Sequence, residues 1–224
     1  MIGVLIDTLA IAAGSIIGLF LRRGIPQSIS DIVMKGIGLV TAIMGISFSL
    51  KSTNSIIMIL SVVLGGILGE ILNIDGFLNN LGLKLQQKFK VYGQVAEGFV
   101  TATLIFCVGA MSIVGSIQSG LSGNNTVLIT KAGLDGITAI VLSSAMGIGV
   151  LMSVISVFTY QGVIALSARL LSSFASNALI TEMTAIGGIL IFGLSLDILG
   201  ITKIKVANLL PAIFIPIIYF LIFL

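Results

Sequence analysis

Apolar runs of about twenty residues recur along this 224-residue chain, and short clusters between them hold most of its 11 Lys plus Arg and 8 Asp plus Glu. A helix needs about 20 apolar residues to cross the hydrocarbon of a bilayer. Only 8% of the residues are charged and 57% are hydrophobic, which excludes an ordinary globular surface. The expectation is an all-α polytopic membrane protein. Its formal net charge of +3 asks for no more than basic cytoplasmic loops, so nucleic-acid binding is discarded. There is no His, and the single Cys107 has no partner for a disulfide.

The first span covers about Ile2 to Leu21 and puts Gly3, Asp7, Ala10, Gly14 and Gly18 on one face, including the small-xxx-small pair Gly14 and Gly18. The second, about Asp31 to Leu50, repeats the small stripe with Gly38, Ala42 and Gly45. The third, about Ile56 to Leu72, repeats it with Ser61, Gly65 and Gly69. Residues 74–97 change character: Leu78, Leu81, Leu85, Phe89 and Tyr92 alternate with Lys84, Lys88 and Lys90, the pattern of an amphipathic helix lying on a membrane surface. The fourth span runs from about Gly98 to Gln118. The apolar stretch of about forty-five residues from Val127 to Leu171 is too long for one crossing and divides near Gly147 and Gly149 into two. Two more spans, about Ile180 to Leu199 and Val206 to Phe223, give eight.

Charge supports that count. With eight spans and an external N-terminus, one side holds Arg22, Arg23, Lys35, Lys84, Lys88, Lys90, Lys203 and Lys205, and the other holds Lys51, Lys131 and Arg169. Seven full spans plus a re-entrant hairpin around Lys131 to Gly147 keep the same parity, so both forms stay open. The chain reads as a single transmembrane domain, with 1–73 as a first three-helix unit, 74–97 as a linker helix, 98–146 as central polar spans and 147–224 as a second three-helix unit. The second span laid on the seventh, and the first on the sixth, suggest an inverted repeat of spans one to three and six to eight, a construction that transporters use.

Polar side chains threaded through apolar sequence carry the functional expectation, because hydrocarbon penalises them unless they meet one another, water or a solute. In the fourth span Thr103, Ser112 and Ser116 accompany Gly109 and Gly115, a composition that lets the helix unwind and line a cavity. The bland alternative is that the hydroxyls bond back to their own helix. Asp135 follows Lys131 by four residues, so the two form an i,i+4 ion pair, either deep and functional or near the interface with Lys131 snorkelling. Gln161 in the sixth span and Asn208, ahead of Pro211 and Pro216, are further candidates for substrate or ion binding. Asp7 reads as an interfacial residue, Glu70 as solvated, and Glu182 as a carboxylate capping the start of its own helix. Gly14, Gly18, Gly65 and Gly69 read as helix-packing positions.

Enzyme signatures are absent: the chain has no HExxH, no GxSxG, no Walker loop and no Cys pair, and no metal site or cofactor is expected. The segments FVTATLIFCVGAMSIVGSIQ, KAGLDGITAI, EMTAIGG and KVANLLPA, with the opening GSIIG and RRGIP, together resemble a bacterial family of uncharacterised inner-membrane proteins, domain of unknown function 554 (YqgA/YdfK-like). The resemblance implies a multi-pass protein of the bacterial plasma membrane and brings no substrate or site residues with it. The residues themselves suggest a small secondary transporter or channel for an ion or small polar solute in the lipid bilayer. The alternative is a membrane scaffold or accessory subunit that associates through its small-residue faces, a homodimer included.

Overall fold

The computed structural model describes residues 1–22, 27–77, 80, 95–108, 110–168 and 176–223, and every regular element among them is helical. Most of the expected amphipathic segment 74–97, together with Arg23, Gly109 and Arg169, lies outside the described residues. The helices are α1 (Ile2–Arg22), α2 (Gln27–Ser49), α3 (Ser55–Leu72), α4 (Val95–Cys107), α5 (Ala110–Leu121), α6 (Thr126–Met146), α7 (Ile148–Leu166) and α8 (Asn177–Ile198). A 3₁₀ helix (Val206–Phe214) and α9 (Ile215–Phe223) follow.

Six of these helices contain apolar stretches of 18 to 22 residues, which at 1.5 Å per residue span roughly 27–33 Å, the thickness of a bilayer's hydrocarbon. A seventh crossing appears when α4 and α5, which meet at a bend of 62°, are counted as one. The eighth expected segment is shorter and less regular. It opens as nine residues of 3₁₀ helix around Pro211, whose ring removes an N–H and crowds the preceding turn of an α-helix. The long apolar stretch after Thr126 divides at Gly147. That residue holds φ 80° and ψ −150°, a conformation open essentially to glycine alone, so α6 ends there and α7 begins. Thr126–Met146 is one helix of 21 residues, not a hairpin.

Contacts group the helices into two units that cut across chain order. The first comprises Met1–Val33 and Leu81–Ser173, and the second Met34–Asn80 and Phe174–Leu224. In the first unit α1 and α6 run parallel in backbone contact: Gly3 lies against Leu128, Gly14 against Gly136 and Ala139, and Gly18 against Ile140 and Ser143. Any side chain at Gly14 or Gly18 would collide with a carbonyl of α6, so these glycines set the spacing of the pair. The opposite face of α1 is apolar and exposed, with Ile2, Leu9, Ile17 and Phe20 among its outward residues, as a lipid-facing surface must be. Along α7, Gly149 meets Val95 and Phe99 of α4, whereas Ala165 meets Gly120 of α5. The bent pair α4–α5 therefore advances along almost the whole of α7. It is a broken span and not a loop that re-enters and turns back.

In the second unit, Gly65 and Gly69 of α3 lie against the backbone of Ala212 and Asn208 in the 3₁₀ helix, while Gly45 of α2 and Gly188 of α8 face each other's backbones. Glu182 does not cap its own helix, whose N-cap is Ser176, accepting from the Leu179 N–H at 3.2 Å. It is 1% exposed, and its carboxylate takes the Ser52 hydroxyl at 2.6 Å, the Thr53 N–H at 2.8 Å, the Thr53 hydroxyl at 2.9 Å and the Asn54 N–H at 3.1 Å. One carboxylate thus holds the turn between α2 and α3. Asn54 in that turn caps α3 by accepting from the Ile56 and Ile57 N–H groups.

Candidate functional site

The first unit buries three charges. Asp7 enters from α1, and Lys131 and Asp135 come from one face of α6. The Lys131 Nζ donates to Asp7 Oδ2 at 2.9 Å and also to Asp135 Oδ2. Asp7 is fully buried, Lys131 is 6% exposed and Asp135 is 9% exposed. Asp7 is therefore turned into the helix packing and not outward from it. The parallel, glycine-spaced packing of α1 on α6 carries its carboxylate inward to the ammonium. Asp135 lies nine residues past Thr126, roughly 13 Å along a helix of about 31 Å.

Two further helices complete the cluster. The Gln161 amide of α7 donates through Nε2 to Asp7 Oδ2 at 2.6 Å and to the Ser112 hydroxyl at 3.3 Å, with Gln161 fully buried and Ser112 1% exposed. Ser112 stands in the first turn of α5, just past the bend. On the other side of that bend Cys107 ends α4 and is buried. The cluster consequently sits where the broken span leaves a helix C-terminus and a helix N-terminus facing the interior. Within it two acceptors stay open: Asp7 Oδ1 and Gln161 Oε1 are buried without a hydrogen-bond partner among the described residues, as are the hydroxyls of Ser15, Thr101 and Thr103 elsewhere on α1 and α4. Buried polar atoms are nearly always paired, so the open oxygens of Asp7 and Gln161, on two side chains already in contact, set this cluster apart.

Of the residues singled out from sequence, Ser112, Lys131, Asp135 and Gln161 meet here, joined by Asp7. Ser116 is buried, but its hydroxyl returns to its own helix at Ser112 O, 2.6 Å away. Thr103 stands on α4, its hydroxyl without a partner among the described residues, and no hydrogen bond joins it to the cluster there. Asn208 lies in the second unit with both ends of its amide occupied: Nδ2 donates to Glu70 Oε2 at 2.5 Å, and Oδ1 accepts the Asp75 N–H at 2.7 Å. Glu70 also accepts from Lys205 at 2.8 Å, the two side chains each 60% exposed, so this is a polar brace across the end of α3. Asp7 packs inward, fully buried against α6 and α7, and its position on the small-residue face of α1, between Gly3 and Gly14, marks it as facing a neighbouring helix.

No solved structure matches this chain significantly. Among curated proteins it is similar to the uncharacterised membrane protein YdfK of Bacillus subtilis (strain 168), 41% identical over 220 residues that cover 96% of this chain and 94% of that protein. It is also similar to the uncharacterised protein YqgA of Escherichia coli (strain K12), 28% identical over 219 residues covering 95% and 93%. The match to the family described as Protein of unknown function (DUF554) extends over residues 2–221, and the chain belongs to that family.

Proposed function

We propose that this protein is a small transporter or channel of the bacterial plasma membrane, and that the first unit carries an ion or small polar solute past Asp7, Lys131, Asp135, Gln161 and Ser112. The single observation behind this reading is a buried ion cluster beside a broken span, among helices of membrane length. Burying charge in hydrocarbon costs several kcal/mol per ion even after relaxation, and intramembrane ionisable groups are kept chiefly where a solute or proton passes. A discontinuous helix is tolerated at membrane depth only where it is enclosed by protein or lines a cavity. The scaffold reading is weaker, because Gly14 and Gly18 are consumed by α6, and Gly65 and Gly69 by the 3₁₀ helix, inside the same chain. An inverted repeat is in keeping with the contacts: spans one and six share the first unit, while two and seven, and three and eight, share the second. The cluster is read as binding a solute, with no covalent step assigned to it.

Flux into proteoliposomes tests this. Purified protein is reconstituted and screened against a panel of radiolabelled ions and small polar solutes. The expected result is uptake of at least one solute above empty liposomes, lost in Asp135→Asn. No uptake by correctly folded wild-type protein across the panel overturns it.

A further inference from the structure

We infer that Asp7 and Gln161 together hold a single monovalent alkali cation, an inference that rests on the transport reading and names its ion. The first argument is charge. Two carboxylates and one ammonium, at their usual charges, leave the buried cluster of Asp7, Asp135 and Lys131 one negative charge in excess. An unbalanced charge in a low-dielectric interior is costly, and one monovalent cation cancels it, whereas a divalent ion would leave the opposite excess.

The second argument is the set of donors. Among the described residues Asp7 Oδ1 and Gln161 Oε1 are buried oxygens without hydrogen-bond partners, on two fully buried side chains that already touch through Gln161 Nε2 and Asp7 Oδ2 at 2.6 Å. A carboxylate oxygen and an amide carbonyl are hard ligands, suited to hard cations. Among the described residues no group of three or more His, Cys, Asp or Glu converges, as a divalent or transition metal would ordinarily want. The third argument is the break itself. Cys107, buried at the carboxyl end of α4, lies five residues before Ser112, whose hydroxyl accepts from Gln161 at 3.3 Å, and a helix C-terminus carries partial negative charge that favours cations. Half-helix ends of this kind coordinate Na⁺ in secondary transporters generally. Lys131 then has a defined part: it neutralises one carboxylate, so that the site accepts one charge and no more.

Thermal unfolding of the purified full-length chain tests the ion directly, with NaCl or KCl replacing choline chloride at constant ionic strength and fixed pH. One of the two alkali salts is expected to raise the midpoint by roughly 5–10 °C at a hundredfold excess over its Kd. Asp135→Asn makes the cluster neutral without an ion while keeping the Lys131–Asp7 pair, so its response to either salt should fall to the choline baseline. Gln161→Leu removes one oxygen ligand and leaves every charge in place, and should shift the salt midpoint upward by about tenfold or more, the cost of one lost charge-assisted ligand. The inference fails if choline stabilises as well as both alkali salts. It fails equally if Asp135→Asn keeps the full response, or if the midpoint follows pH and ignores both salts, which would make the balancing ion a proton. Proteoliposome flux separates the two levels: a specific salt response with no flux of any solute keeps the cation site and sinks transport, while flux indifferent to both salts does the reverse.

Discussion

Lys131 of α6 reaches Asp7 of α1 across 2.9 Å with the two side chains only 7% and 0% exposed, which makes them a buried ion pair between parallel helices. Removing the cation of such a pair strands its partners, and here two carboxylates would be stranded at once. Lys131→Met should therefore cost about 3–5 kcal/mol of stability, the usual penalty for orphaning a buried charge. Adding Asp7→Asn and Asp135→Asn to it should recover most of that loss. Denaturant or thermal unfolding in detergent, run on the single and triple variants together, measures both effects.

The glycine spacing of α1 on α6 makes a paired prediction. Gly14→Ala would drive a methyl into the Gly136 carbonyl, and should cost about 1–3 kcal/mol as overpacking does. Gly162 is also helical but has no atom near the position of a Cβ. Gly162→Ala should be neutral or stabilising by about 0.5–1 kcal/mol, the usual gain from replacing glycine inside a helix. Unfolding midpoints of the two variants, compared with wild type, should move in opposite directions or differ clearly in size.

Glu182 accepts four hydrogen bonds from Ser52, Thr53 and Asn54 while almost wholly buried. Glu182→Gln preserves the shape but replaces one accepting oxygen by a donating amide facing donors. A loss of about 1–3 kcal/mol is expected, with faster proteolysis in the turn 50–54. Limited proteolysis of intact protein in detergent reads the second effect without relying on global unfolding.

Lys205 lies outside the membrane-spanning helices, and its pKa is raised above the ordinary 10.5, first by its hydrogen bond to Glu70 and then by that carboxylate's charge. A folded-state pKa above the unfolded one means the folded form holds the proton more tightly. The resulting stabilisation is complete below the unfolded value and disappears as pH rises through the folded value. Wild type should thus lose stability more steeply than Glu70→Gln only in the alkaline window that opens near pH 10.5. Because both side chains are exposed, raising the salt concentration should shrink the difference between the two proteins.

Helix existence and breaks were legible in the sequence because they are local. Apolar run length separated the spans, and the glycines near position 147 divided the longest run where φ is 80°. Thr, Ser and Gly placed among apolar residues pointed to the span that bends by 62°. The pairing of faces was not legible. Periodicity says that Asp7 shares a side of α1 with Gly14, but not that this side meets α6, 124 residues away, or that Gln161 closes on it from 154 residues away. Asn208 illustrates the opposite difficulty. An amide before two prolines looks unoccupied in one dimension, and its partners Glu70 and Asp75 become neighbours only once α3 and the 3₁₀ helix are packed.

The close seating of α1 on α6 also restricts how the first unit can move. Glycine against carbonyl at successive turns leaves little slack for these two helices to slide or roll, and it holds Asp7 against the Lys131–Asp135 face. The other wall of the charged cluster is made by Gln161 of α7 and Ser112 of α5, which join it through side-chain hydrogen bonds. The backbone-packed side of the cluster and its side-chain wall thereby belong to different helices.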